Sequence, residues 1–296
     1  MSSRSKQVIA LAVLSLSSVS IQAMAEEFIG FGQAGKPGSW ALEEYPEFTH
    51  TAPNSNSIAT YNELSYFTET GATGTTRDQY EFWVGVNTGY ANTHDAPGAN
   101  GGGISAPGVG FEYYYQVVTP DNGKHPGDPG YRTFWTSPTL TMNFPNGSSK
   151  TAGYGAGANQ YSYSLSWANW IQTDKIGITA NPVELFYASH NQNETETGEG
   201  QYEKLRGGLS VTLMDIAAGY QVRPDLFAGI HHAYSMNAWR KSDYAESREG
   251  KIGPSVTYLG LADYGLFICG NVDFDYYTSS NLKKSESISM SIVKNL

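Results

Sequence analysis

The chain has 296 residues and a formal charge of −10 at pH 7, with 18 Lys and Arg against 28 Asp and Glu. That length holds one large β domain or two small ones, and that charge argues against nucleic acid, which needs clustered bases. Cys269 is the only cysteine, which excludes an intrachain disulfide, and past the N-terminus no stretch reaches the roughly 18 apolar residues of a helical membrane span.

The N-terminus sets the expected compartment. Arg4 and Lys6 form a basic start, residues 8–19 an apolar run too short to span a bilayer, and Ala23-Met24-Ala25 a small-x-small cleavage site. This is the layout of a secretory signal peptide. Residues 1–25 are expected to be removed, and the loss of two bases then takes the charge to −12. Residues 26–56 form an N-terminal segment, a plug or a first strand. Residues 57–296 are expected to form the body of the fold.

In the first half the candidate strands are 57–68, 79–91, 108–118 and 132–144, with long breaks at 69–78, 92–107, 119–131 and 145–160. From Tyr161 the rhythm sharpens. Tyr161, Tyr163, Leu165 and Trp167 alternate with Ser162, Ser164 and Ser166, so a strand here has one apolar and one hydroxyl face. Further strands read 176–189, 204–222, 226–239, 251–262, 266–278 and 286–296. Tight turns at 173–175, 223–225 and 263–265 alternate with polar loops at 190–203, 240–250 and 279–285. Outer-membrane barrels have short periplasmic turns and longer external loops. Four strands before Tyr161 and seven from it onward make eleven. Such barrels carry an even number, so parity asks for one more strand between residues 39 and 51. The expected fold is all-β, an antiparallel up-and-down transmembrane β-barrel of about twelve strands, with ten or fourteen as alternatives. Mean hydropathy is −0.39, as expected where only alternate residues meet lipid.

The pattern assigns faces. Tyr80, Phe82, Tyr113, Tyr163, Trp167, Tyr258, Phe274 and Tyr276 are expected to face lipid or its interface. Glu81, Trp83, Glu112, Tyr114, Ser162, Ser164, Ser166, His231, Asp273 and Asp275 are expected to face the lumen. A charge on the lipid side costs up to about 2–4 kcal/mol, and the acids named all fall opposite the apolar set. Alternation breaks at Asn181-Pro182, where a bulge is expected because proline lacks the ladder N–H. It breaks again where Leu209, Val211 and Leu213 give way to Ile216, Ala218 and Tyr220. Trp167, Trp170, Trp239, Tyr234, Tyr258 and Tyr276 are candidates for the interface girdles. The last strand, with Ile288, Met290, Ile292, Lys294 and Leu296, is similar to the C-terminal signal that barrel-insertion machinery reads.

From about Phe111 to the end the chain resembles the phenol-degradation meta-pathway family of outer-membrane proteins. The matching points are Gly219-Tyr220-Gln221-Val222, Leu226-Phe227-Ala228-Gly229-Ile230, Ile252-Gly253-Pro254 and Tyr276-Tyr277. The resemblance implies a barrel of about twelve strands that passes small hydrophobic or aromatic compounds. It carries no catalytic residues.

Other constellations are weaker. Gly30-x4-Gly35-Lys36 mimics a phosphate loop, but Pro37 replaces the Ser or Thr that would hold Mg²⁺. His231-His232 with Ser235 suggests a hydrolase, yet only His231 shares a face with Ser235, and no acid partner is evident. Asp273, Asp275, Glu81 and Glu112 could make a cation-favouring lumen. The blander expectation is that wall Lys or Arg balance them. The loop acids Asp121, Asp128, Glu194, Glu196, Glu199 and Asp243 match no defined Ca²⁺ loop. No cofactor, metal or enzymatic activity is expected. The reading is a Gram-negative outer-membrane protein, surrounded by lipid, that passes a small solute passively. A secreted or periplasmic ligand-binding β-sandwich is the alternative, and a barrel enzyme a more distant one.

Overall fold

A strand with one apolar and one polar face is stable only when both its edges are paired, and a sheet closed on itself leaves no edge. The computed structural model describes residues 27–30, 35–51, 55–92, 100–121, 123–145, 161–189, 195–198, 201–203, 207–237, 248–279 and 283–296. The candidate signal peptide therefore lies outside the described residues. The strands are β1 (Trp40–Thr51), β2 (Ser55–Phe67), β3 (Asp78–Asn92), β4 (Gly101–Val118), β5 (Arg132–Asn143), β6 (Ser162–Thr173) and β7 (Ile176–Ala188). They continue with β8 (Thr195–Gly198), β9 (Gln201–Glu203), β10 (Gly208–Arg223), β11 (Leu226–Asn237), β12 (Arg248–Tyr258), β13 (Leu266–Thr278) and β14 (Ser285–Asn295). Twelve of them form one closed barrel, each antiparallel to its neighbours in chain order, while β8 and β9 pair only with each other. Closure runs from Ala41 opposite Asn295 to Thr51 opposite Ser285. A β-sandwich is thereby overturned, since there is one closed sheet rather than two facing ones.

The strand that parity demanded is β1. Two expectations need correction. β4 begins at Gly101, inside the stretch read as a break, and continues to pair with β3 past a register shift between Gly85 and Asn87. The loop at 190–203 carries the β8–β9 hairpin. Loop lengths alternate from β6 onward. Before it, β1 and β2 are joined by only three residues, at the end of the barrel that elsewhere carries the long loops. β1 begins and the C-terminus lies at the opposite end, where Leu296 N–H donates to the Trp40 carbonyl. The tight turns there are built locally. Asp174 takes φ 51 between β6 and β7, a conformation Asn and Asp tolerate best among side-chain-bearing residues. Arg223 pairs with Asp225 through two N–H···O bonds of 3.0 and 2.9 Å between β10 and β11.

The exterior is apolar around the sheet. Phe48, Ile58, Val84, Leu140, Leu165, Ile230, Val256 and Phe274 are all exposed. A continuous apolar surface of that extent is foreign to a soluble monomer and matches the lipid-facing band of a membrane barrel. Both breaks in alternation are bulges. Pro182 and Val183 are both exposed, and the Asn181 side chain accepts the Trp167 N–H at 3.2 Å. In β10 the extra residue is Met214, with φ 54. Asp215, which unbroken alternation from Leu213 would send into lipid, is turned inward and buried.

Candidate functional site

The interior is where this barrel concentrates its chemistry. Every strand sends alternate side chains inward, and the buried inward carboxylates include Glu43, Glu47, Glu63, Glu81, Glu184, Asp215, Asp273 and Asp275. Among the described residues the buried bases are Lys251 and His231. Among the described residues the expectation that wall Lys or Arg would balance the acids is met only in part, by Lys251, which lies in reach of Glu47, Glu249 and Asp275. Lys251 sits 3.9 Å from Glu249 on its own strand. Exposed bases such as Arg77, Arg132 and Arg223 lie outside the interior.

The β10–β13 wall is arranged around His231, which is 0 % exposed. Its Nε2 lies 2.8 Å from Asp215 Oδ1, and its Nδ1 lies 2.9 Å from both Asp273 oxygens. These are the acid partners that the sequence did not reveal. Because both ring nitrogens are engaged, neither is left to take a proton from Ser235. Four residues of extended strand also place Ser235 about 13 Å away along β11. The hydrolase reading has no geometry here. His232, on the opposite face, contacts the Met214 carbonyl and the Tyr276 hydroxyl, each at 3.0 Å, and stacks on the Tyr276 ring.

The N-terminal segment enters from the terminal end. Glu27, Phe28 and Ile29 are buried within the barrel. Glu27 N–H donates to Asp215 Oδ1 at 3.3 Å, and Asn271 Nδ2 donates to the Glu27 carbonyl at 3.0 Å. Gly30 N–H reaches Thr179 Oγ1 at 3.0 Å, while Thr257 Oγ1 donates to the Ile29 carbonyl. Ile29 packs with Trp170, Ala217 and Phe227. Within the segment 26–56, residues 27–29 are buried inside the barrel and β1 follows. Trp170 is corrected from girdle to interior. It is 1 % exposed and lies over Gly177, where a Cβ would come within 2.3 Å of its ring.

The β1–β4 wall repeats one pairing on every strand, an inward glutamate two residues from an inward aromatic. The pairs are Glu43 with Tyr45, Glu63 with Tyr61, Glu81 with Trp83 and Glu112 with Tyr114. In register, Glu43 is directly across from Glu63, and Glu81 from Glu112. Tyr45, Ser65 and Tyr114 hydroxyls donate to Glu43, Glu63 and Glu81 at 2.6, 2.6 and 2.7 Å. Trp83 lies flat over Gly110, where a Cβ would fall within 1.9 Å of the indole.

The remaining residues singled out in the sequence are placed as follows. Ser162 is buried, and Ser164 and Ser166 are half-buried on the inner face of β6. Asp275 accepts from the Ser285 hydroxyl at 2.9 Å. Outside, Tyr80, Phe82, Phe111, Tyr113 and Tyr115 form a connected group of rings with centroids 5.2–6.4 Å apart. Tyr163, Trp167, Phe274 and Tyr276 are exposed, and Tyr258 is half-buried on the same outer face. Trp239, Glu194, Glu199 and Asp243 lie outside the described residues. Asp121 pairs with Lys124 at 3.4 Å, and Asp128 caps the His125 N–H at 2.8 Å, so these loop acids have local partners.

No family model matches the chain, and no curated protein matches it by sequence. Solved structures match its fold. An outer membrane channel from Pseudomonas putida F1 aligns with a TM-score of 0.67 at 11% identity, covering 92% of this chain and 100% of that one. The β domain of the Bordetella autotransporter BrkA aligns with a TM-score of 0.51 at 13% identity, covering 88% and 100%. At these identities the likeness is one of fold: a closed antiparallel barrel of the outer-membrane kind.

Proposed function

We propose that this chain is an outer-membrane barrel through which small solutes cross passively, with cations favoured over anions. The observation that carries the reading is the interior: among the described residues, buried carboxylates on β1, β2, β3, β7, β10 and β13 stand against two buried bases, inside a sheet with an apolar exterior. A passage lined by one sign of charge concentrates the opposite ion and repels its own. Loop lengths from β6 onward support a periplasmic location for the end where β1 begins and β14 ends. The leader 1–25 is read as removed before insertion, and β14 as the strand the insertion machinery recognises. No catalytic step is assigned.

A second reading concerns solute shape. The family resemblance implies passage of small aromatic or hydrophobic compounds. The cluster of Ile29, Trp170, Ala217 and Phe227 forms an apolar patch inside the barrel. Proteoliposomes separate the two by comparing uptake of phenol with that of a neutral sugar of similar size. Outer-membrane fractionation, heat-modifiable gel migration and planar-bilayer conductance test the main reading. A protein recovered freely soluble in the periplasm would sink it.

A further inference from the structure

We propose that the β1–β3 wall of the interior binds a hard divalent cation, with Glu43, Glu63 and Glu81 as ligands and the Tyr61 hydroxyl beside them. One carboxylate oxygen from each glutamate lies within 4.8 Å of the other two. Oxygens about 2.3–2.6 Å from a Ca²⁺ ion are at most about 5 Å from one another, so this triangle has the size of half a calcium shell. The three residues come from three adjacent strands, and Glu43 stands directly across from Glu63. Like charges directly opposed destabilise a sheet, and buried charge without a counter-charge is costly. The buried bases are engaged elsewhere: His231 between Asp215 and Asp273, and Lys251 beside Glu249. Tyr45, Ser65 and Tyr114 orient the carboxylates as neutral donors and bring no charge.

An independent feature points to the same place. Tyr61 is 1 % exposed, and its hydroxyl has no hydrogen-bond partner among the described residues. It lies against Gly85, where a Cβ would come within 2.2 Å of it, and Gly85 is directly across from Glu63. The hydroxyl is therefore held on the inner face at the level of Glu63, close enough to feel its carboxylate. A bound ion would give it a use, since hydroxyl and carboxylate oxygens together suit hard cations. Glu43 and Glu63 are 6 % exposed and Glu81 3 %. That packing suits a bare ion better than an organic cation.

The test uses the full barrel refolded in detergent and stripped with chelator, titrated calorimetrically with CaCl₂. Wild type is expected to bind one ion tightly and to unfold at a higher temperature when calcium is present. Glu63→Gln is expected to weaken binding at least tenfold and to abolish the thermal shift. Glu184→Gln, which removes a buried acid on β7, is expected to change neither. Glu43→Gln serves as a second probe should the first variant fold poorly. Equal calcium binding by wild type and both β1–β2 variants, or no binding by well-folded wild type, would overturn the proposal.

Discussion

Two walls of the same lumen treat acid in opposite ways. On the β10–β13 wall the carboxylates of Asp215 and Asp273 flank an imidazole, and Asp215 also accepts a backbone N–H from Glu27. On the β1–β4 wall Glu43 faces Glu63 and Glu81 faces Glu112, with only neutral hydroxyls donating to them. On the first wall the Asp215–His231–Asp273 group is locally paired and anchors residues 27–30 inside the barrel. The second gathers carboxyl groups with no base beside them among the described residues, where a passing or bound cation would meet them. The difference teaches that an acid count alone does not describe the lumen; what stands opposite each acid does.

Substitutions can break this contrast. His231→Ala should have the largest effect, since it leaves two buried carboxylates without their partner. Losing one member of a buried charged group costs about 3–5 kcal/mol, to be read from urea unfolding in lipid vesicles. Leu165→Arg should cost about 2–4 kcal/mol by placing charge against hydrocarbon, whereas Ser164→Arg on the inner face should cost much less in the same assay. Glu63→Gln, measured in chelator, should be neutral or slightly stabilising because it removes a like-charge opposition. A loss there as large as that of His231→Ala would erase the distinction between the walls. Removing residues 27–30 should leave the barrel folded and raise its single-channel conductance, because the deleted chain occupies the lumen.

Much of the barrel was legible where alternation is clean. β6 reads from Ser162 and Tyr163 to Trp167 without interruption, and its tight turn at Asp174 follows at once. β1 was reached only through parity, because Glu43 and Glu44 are adjacent acids and Pro46 interrupts the run, so no apolar face stands out. The interior groupings were less legible. His231 and Asp273 meet across 42 residues, and Glu27 and Asp215 across 188. Such encounters depend on register and closure, which no local pattern contains. Asp215 needed one step more: the bulge at Met214 turns it inward, and the phase change from Leu213 to Ile216 was its trace in the sequence. The repeated glutamate–aromatic pairing on β1–β4 was also present in the sequence. It takes its meaning only when the four strands lie side by side.

The central claim is that this barrel conducts small solutes past an acidic interior. It is tested most directly by the reversal potential of the purified protein in a planar bilayer under a KCl gradient. The account predicts a potential of the sign set by potassium, reduced when Glu81→Gln and Glu112→Gln are combined. A potential of the sign set by chloride, or a well-inserted barrel that passes no current even without residues 27–30, would contradict it.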